Sequence, residues 1–146
     1  MNYSALKTEI STDPLAIGYA KMTDDQVAAS LNTSNRTAIA SVMVNARTAM
    51  QTLGATKGAA FLDALENAAA STSPVKWAMY FLKSDSGVDV GDPQTRGQLD
   101  ALAAAGVLNQ ADVTTIKALA ETTISRAHEL GLPVVMPWQV DHARGQ

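Results

Sequence analysis

Residues 12–32, Thr-Asp-Pro-Leu-Ala-Ile-Gly-Tyr-Ala-Lys-Met-Thr-Asp-Asp-Gln-Val-Ala-Ala-Ser-Leu-Asn, place two helix-start signals in one short, otherwise apolar segment. Asp13 followed by Pro14 has the chemistry of an N-cap and first helical position: the carboxylate accepts orphan amide hydrogens, and proline gives up a donor that had no partner. The spacing predicts a short helix over 14–21. Thr23, three residues before Gln26, has the capping-box spacing, and Asp24 and Asp25 sit where the helix dipole favours negative charge. A second helix then runs to Asn32. The tight connection between Lys21 and Thr23 turns the two helices across each other, with Leu15, Tyr19, Met22, Val27 and Leu31 as the buried set. First-turn acids need no ligand to explain them, so Asp24 and Asp25 read as structural.

Outward from this corner the apolar spacing is helical almost throughout, and the fold class predicted is all-α: one compact domain over 1–146 built of short helices and helical hairpins. Tyr3, Leu6 and Ile10 form the stripe of an opening helix. Thr33 to Thr37 is a polar connector, followed by a helix over 39–53 that Gly54 stops. Thr56 caps the next helix, with Phe61 and Leu65 on its apolar face. Ser73-Pro74 starts another, which carries Trp77, Tyr80 and Phe81. Residues 85–93 read as a loop whose Asp92-Pro93 end caps the following helix; Val88 and Val90 could instead form a small β-bridge. Gly106 closes that helix, and Asn109 caps a long one carrying Val113, Ile116, Leu119, Ile124 and Ala127, which ends at Gly131. Pro137 opens a tail helix within 133–146.

Composition excludes several function classes. A chain of 146 residues is about one domain long and buries a core without staples. It has no cysteine, which removes disulfides, thiolate zinc sites and cysteine nucleophiles. A net charge of −3, with eleven scattered basic residues, leaves no concentrated basic face for nucleic acid. The exposed set of the helix after Gly106, namely Gln110, Asp112, Thr114, Lys117 and Glu121, does not suit a recognition helix in a major groove. No apolar run reaches the ~20 residues of a membrane span, and the N-terminus lacks a signal-peptide layout. The sequence reads as a chain made and kept soluble in a cytoplasm.

Catalytic and metal chemistry finds little to work with. Asp85, Asp89 and Asp92 depart from the spacing of a calcium-binding EF-hand loop, and the solvated-turn reading accounts for them. The only histidines are His128 and His142. With Glu129 or Asp141 they could make a two-histidine, one-carboxylate site. The dipole at a helix end and the chain terminus explain them without a metal. Asp63 and Glu66 have no second acid in view. No catalytic, metal or cofactor-binding residue is assigned, and no cofactor or small-molecule substrate is expected. The candidate partner-binding residues are aromatic: Trp77 and Tyr80 share a helix with Phe81, where helical spacing predicts core with one ring left over, and Trp138 either staples the tail to the domain or anchors a neighbour.

The two ends of the chain, 12–32 and 125–144, resemble a group of small tailed-bacteriophage proteins encoded among virion-structure genes. The resemblance is carried by Thr12-Asp13-Pro14-Leu15 and Gly18-Tyr19-Ala20 at one end. At the other it is carried by Ser125-Arg126-Ala127, Glu129-Leu130-Gly131-Leu132 and the terminal Asp141, Ala143 and Arg144. It covers about a third of the chain and departs in the middle, 36–108, and at Met136-Pro137, where a polar cap would stand. It implies a non-enzymatic virion protein, made in the host bacterial cytoplasm, that packs with other virion proteins and with copies of itself. Tail or head-to-tail connector comes first among positions; capsid decoration and a non-virion assembly factor stand as alternatives, and a small metal-dependent enzyme comes last.

Overall fold

The computed structural model describes residues 1–145; Gln146, at the end of the tail read over 133–146, lies outside them. Asn2 starts the first helix by accepting from the Ala5 amide, and α1 (Tyr3–Thr12) turns Leu6, Glu9 and Ile10 inward. Asp13 ends it in the left-handed region, at φ 42°. An N-cap needs an extended backbone there, so the Asp13-Pro14 pair cannot start a helix. Instead the Ala16 amide donates to the Asp13 carbonyl at 2.9 Å, closing a turn over Pro14 and Leu15. The Asp13 carboxylate accepts from Ile17 at 2.8 Å and Gly18 at 2.6 Å. Of the helix expected over 14–21 only a 3-10 turn remains, Tyr19–Lys21, and Leu15 is exposed.

The second signal reads as expected. The Thr23 hydroxyl accepts from the Gln26 amide while the Gln26 side chain accepts from the Thr23 amide, and α2 (Asp24–Asn32) buries Val27, Ala28 and Leu31. Beyond it the expectation of helix fails. Residues 34–39 form a strand, β1 (Ser34–Ile39), and Met43–Val44 a second, β2, before α3 (Ala46–Leu53) begins at its Asn45 cap. Thr37-Ala38-Ile39-Ala40 alternates β-branched with small residues, and Val42 and Val44 are β-branched again, which suits a pleated surface better than a helix.

Gly54 stops α3 as expected and also opens α4 (Ala55–Ala69), so Thr56 is not a cap. In α4 a side chain at Gly58 would meet Met50 Cα at 2.8 Å; glycine there lets α3 and α4 approach closely. Next come α5 (Ser73–Lys83), β3 (Val88–Asp89), α6 (Pro93–Ala104) and α7 (Gln110–Ala118), the last two capped by Asp92 and Asn109. The long helix read through Ala127 ends at Ala118. Glu121-Thr122-Thr123-Ile124-Ser125 is β4, three of its five residues β-branched, and then come α8 (Arg126–Glu129) and α9 (Pro137–Gly145). The protein is therefore mainly helical, 62 %, with four short strands among the described residues, and the all-α reading is corrected to that extent.

The chain divides into two compact units, and the buried apolar side chains form two clusters where composition suggested one core. Unit 1 comprises Met1–Ala38 and Thr123–Gln146, and unit 2 comprises Ile39–Thr122. In unit 1, α9 lies against α1 and α2, with Leu6, Tyr19, Val27, Leu31, Val135 and Val140 fully enclosed. In unit 2, α3 packs on α4 and α7, α4 on α5, and α6 on α7, around Val44, Ala49, Phe61, Met79, Val113 and Ile116. β2 and β3 pair antiparallel, Met43 opposite Asp89 and Val44 opposite Val88, so the small β alternative at Val88 holds, with Asp89 in place of Val90 as its second residue. β1 pairs with β4.

Candidate functional site: exposed aromatic surfaces

Six charged side chains of unit 1, Glu9, Asp24, Arg36, Arg126, Glu129 and Arg144, are engaged in holding it together. Glu9, only 3 % exposed, accepts two hydrogen bonds from Arg126, Nε to Oε1 at 2.8 Å and Nη2 to Oε2 at 2.6 Å. Arg126 Nη1 also donates to Glu129 at 3.0 Å, and Glu129 accepts from Arg36. The Arg36 hydrogen bond, then that of Arg126, holds the Glu129 carboxyl below its usual range, and the two acids hold the Arg126 guanidinium charged well beyond its ordinary range. Beside this network the fully enclosed Tyr19 hydroxyl has only the Ser30 side chain near it, short of good hydrogen-bond geometry; burial first, then the charges of Glu9 and Asp13, push it above its ordinary value, against the smaller lowering effects of Arg126 and Ser30. Arg144 donates to Asp24 and to the carbonyls of Tyr19 and Met22, at 2.5, 2.7 and 2.9 Å.

In unit 2 the loop that suggested calcium is a latch. Asp89 accepts from Ser41 Oγ at 2.6 Å and from the amides of Gly91 at 2.8 Å and Val42 at 3.0 Å. The Ser41 bond, then that of Gly91, holds its carboxyl below the ordinary range. A carboxylate committed to three donors lies where β2 and β3 pair. Gly91 fits so closely under Ala40 that an added Cβ would fall 1.8 Å from the Ala40 carbonyl oxygen. His142 packs edge-on against Tyr3, ring centres 4.6 Å apart. Among the described residues no three His, Asp or Glu side chains come together as a metal site.

The enclosed space in unit 2 is an apolar cavity of about 50 Å³ bordered by Val44, Phe61, Met79 and Ile116. That volume suits a water-sized molecule and its lining offers water no partners, so it is a packing gap rather than a substrate pocket.

The aromatic candidates lie at the surface. On α5, Val75, Met79 and Leu82 face the core, and the opposite side carries Trp77, 57 % exposed, Tyr80, 66 %, and Phe81, 49 %. This corrects the expectation that helical spacing makes these rings mostly core. The periodicity was ambiguous because α5 is apolar on both sides, and the smaller aliphatic set won the interior. The rings stand edge to face, Trp77 to Tyr80 at 6.2 Å and Tyr80 to Phe81 at 5.6 Å, with Lys76 Nζ 5.9 Å from the Trp77 ring centre.

Trp138 is 61 % exposed at the start of α9, whereas Val140 and Ala143 are buried. These two and Arg144 fasten the tail; the indole does not. Val134 and Met136 are exposed just before it, giving unit 1 an apolar surface of its own. What sequence reading missed is the pair Glu9–Arg126, since neither residue carries a local signal for a partner so far along the chain. Among the described residues no helix is long and apolar enough to cross a membrane. Comparison with protein families, with curated proteins and with solved structures finds no match.

Proposed function

We propose that this chain is a non-enzymatic structural protein of a bacteriophage particle, a tail or head-to-tail connector component that works in several copies beside other virion proteins. The observation that carries a binding role is the uncovered aromatic face of α5, where Trp77, Tyr80 and Phe81 stand in a row. Single exposed apolar residues are ordinary, but a contiguous aromatic group is the composition of interface centres. The phage assignment rests on the resemblance of 12–32 and 125–144, and both stretches fall within unit 1. Support for a non-catalytic role comes from the carboxylates: Glu9, Asp24, Asp89 and Glu129 are each committed to arginines, hydroxyls or backbone amides of the fold.

Mass spectrometry of purified virions tests this reading. A few copies per particle fits a connector or tail position, and a ratio near one per capsid subunit shifts the reading to decoration. Absence from the particle removes the virion role.

A further inference from the structure

The helix α5 is apolar on two opposite sides, and only one of them is covered. Val75, Met79 and Leu82 enter the core of unit 2, while Trp77, Tyr80 and Phe81 project from the reverse side. Lys76 and Lys83 stand between the two sides, so the aromatic side is a separate apolar surface of the kind that marks an interaction site. We infer that the aromatic face of α5 is the contact by which two copies of this chain associate about a two-fold axis. The inference rests on the multi-copy part of the reading above and names the surface.

Three observations favour a second copy as the occupant. First, an isologous interface needs projection and recess on one patch, because the same surface serves both partners. Beside the projecting rings lies a groove lined by Glu66 and Ala69 of α4, by Ala70 just past its end, and by Lys76, Trp77 and Tyr80 of α5. The small alanine side chains leave room there for a ring from the other copy.

Second, the rim carries both signs of charge. Glu66 is exposed and holds Lys83 at 2.5 Å, and Lys76 is exposed over Trp77. A rim of one sign would call for an opposite partner, whereas a mixed rim suits its own copy, with Lys76 of each beside Glu66 of the other. Third, three half-exposed aromatic side chains offer roughly 260–430 Å² of surface, about a third to a half of what one partner contributes to a standard interface. With the adjoining α4 surface that is the scale of a modest helix-on-helix dimer.

Sedimentation velocity of the full chain, from low to high micromolar concentration, tests the proposal. The mass should double across this range. The double variant Trp77→Ser/Tyr80→Ser should weaken association by about tenfold or more with helicity unchanged, and with the unfolding midpoint unchanged at concentrations where the parent chain is monomeric, since both side chains lie outside the core. Lys76→Glu and Glu66→Lys should each weaken it, and combining them should restore it. A monomer at every concentration overturns the proposal, as does a dimer indifferent to the aromatic changes. Charge reversals that do not rescue one another overturn the two-fold pairing. A monomer that instead captures another virion protein through Trp77 overturns the second copy as occupant. Presence in virions is read separately, so a monomeric chain found in particles removes this inference alone, and a dimer absent from particles removes the virion role alone.

Discussion

Arg126 grips the nearly buried carboxylate of Glu9 through two hydrogen bonds, although the two residues stand 117 positions apart in the chain. Removing one partner leaves the other charged in the interior of unit 1. Glu9→Ala or Arg126→Ala should destabilise the protein by about 3 kcal/mol or more, and the paired change Glu9→Leu/Arg126→Met should recover most of that loss. Urea unfolding of the three variants checks it, the double variant separating the cost of an orphaned charge from the worth of the pair.

Tyr19 offers the opposite case, a buried hydroxyl with only the Ser30 side chain near it, short of good hydrogen-bond geometry. Replacing it with phenylalanine removes a polar atom that gained at most a weak bond to Ser30 on folding, so Tyr19→Phe should hold or raise stability, by up to about 1 kcal/mol. Thermal unfolding at neutral pH reads the change. A clear loss would show that the hydroxyl has a partner after all.

The pH dependence has two limbs. Glu129, held down chiefly by Arg36, and Asp89, held down chiefly by Ser41, have folded pKa values below their unfolded ones. Each therefore contributes stability that is present above about pH 4 and is lost as pH falls through its folded value. Tyr19 is raised in the folded chain, so its contribution is present below about pH 10 and is lost as pH rises further. Denaturant midpoints across the pH range should fall at both ends. In Glu129→Gln the acid limb should be shallower, and in Tyr19→Phe the alkaline limb.

Gly91→Ala should destabilise unit 2 by about 1–3 kcal/mol, because its Cβ would overlap the Ala40 carbonyl and force β3 away from its partner segment. Gly97, with open space at its Cβ and a helical position, is the matched control. Gly97→Ala should stabilise by several tenths of a kcal/mol through helix propensity. Chemical denaturation of the pair gives opposite signs if close packing is the cause.

At the tail, Val140→Ala should cost on the order of 2 kcal/mol, while Trp138→Ala should stay within about 0.5 kcal/mol. Near-equal losses would return the indole to the role of staple.

Capping chemistry was the most legible part of the fold. Thr23, Asp92 and Asn109 each cap a helix as their spacing requires, and Gly54 and Gly131 each follow a helix end. Local side-chain chemistry decides such positions with little help from the rest of the chain. The strands were not legible for the converse reason. Thr123 and Ile124 continue a helical apolar spacing from Ile116, and only pairing with β1 settles them as extended.

Asp13 shows a local signal overridden. Its carboxylate caps amides four and five residues ahead, which the sequence Asp-Pro does not distinguish from a helix start. The aromatic surface was half legible: Trp77, Tyr80 and Trp138 stood out by type, but which side of α5 is buried depends on what α4 and β3 present to it. Asp13, Arg126, Glu129 and Arg144 all bond the parts of unit 1, and none of these contacts is signalled by its neighbours in sequence.

The closure of unit 1 imposes an order in time. Unit 2 is one continuous run, whereas unit 1 joins Met1–Ala38 to Thr123–Gln146. On the ribosome, α1 and α2 emerge before unit 2 and lack most of the cluster that receives their apolar faces until Val135 and Val140 follow it. The middle of the chain is the part able to fold while translation continues, and its beginning is the part that must wait. A nascent chain stalled before residue 123 should therefore hold a folded centre behind a protease-sensitive leading end.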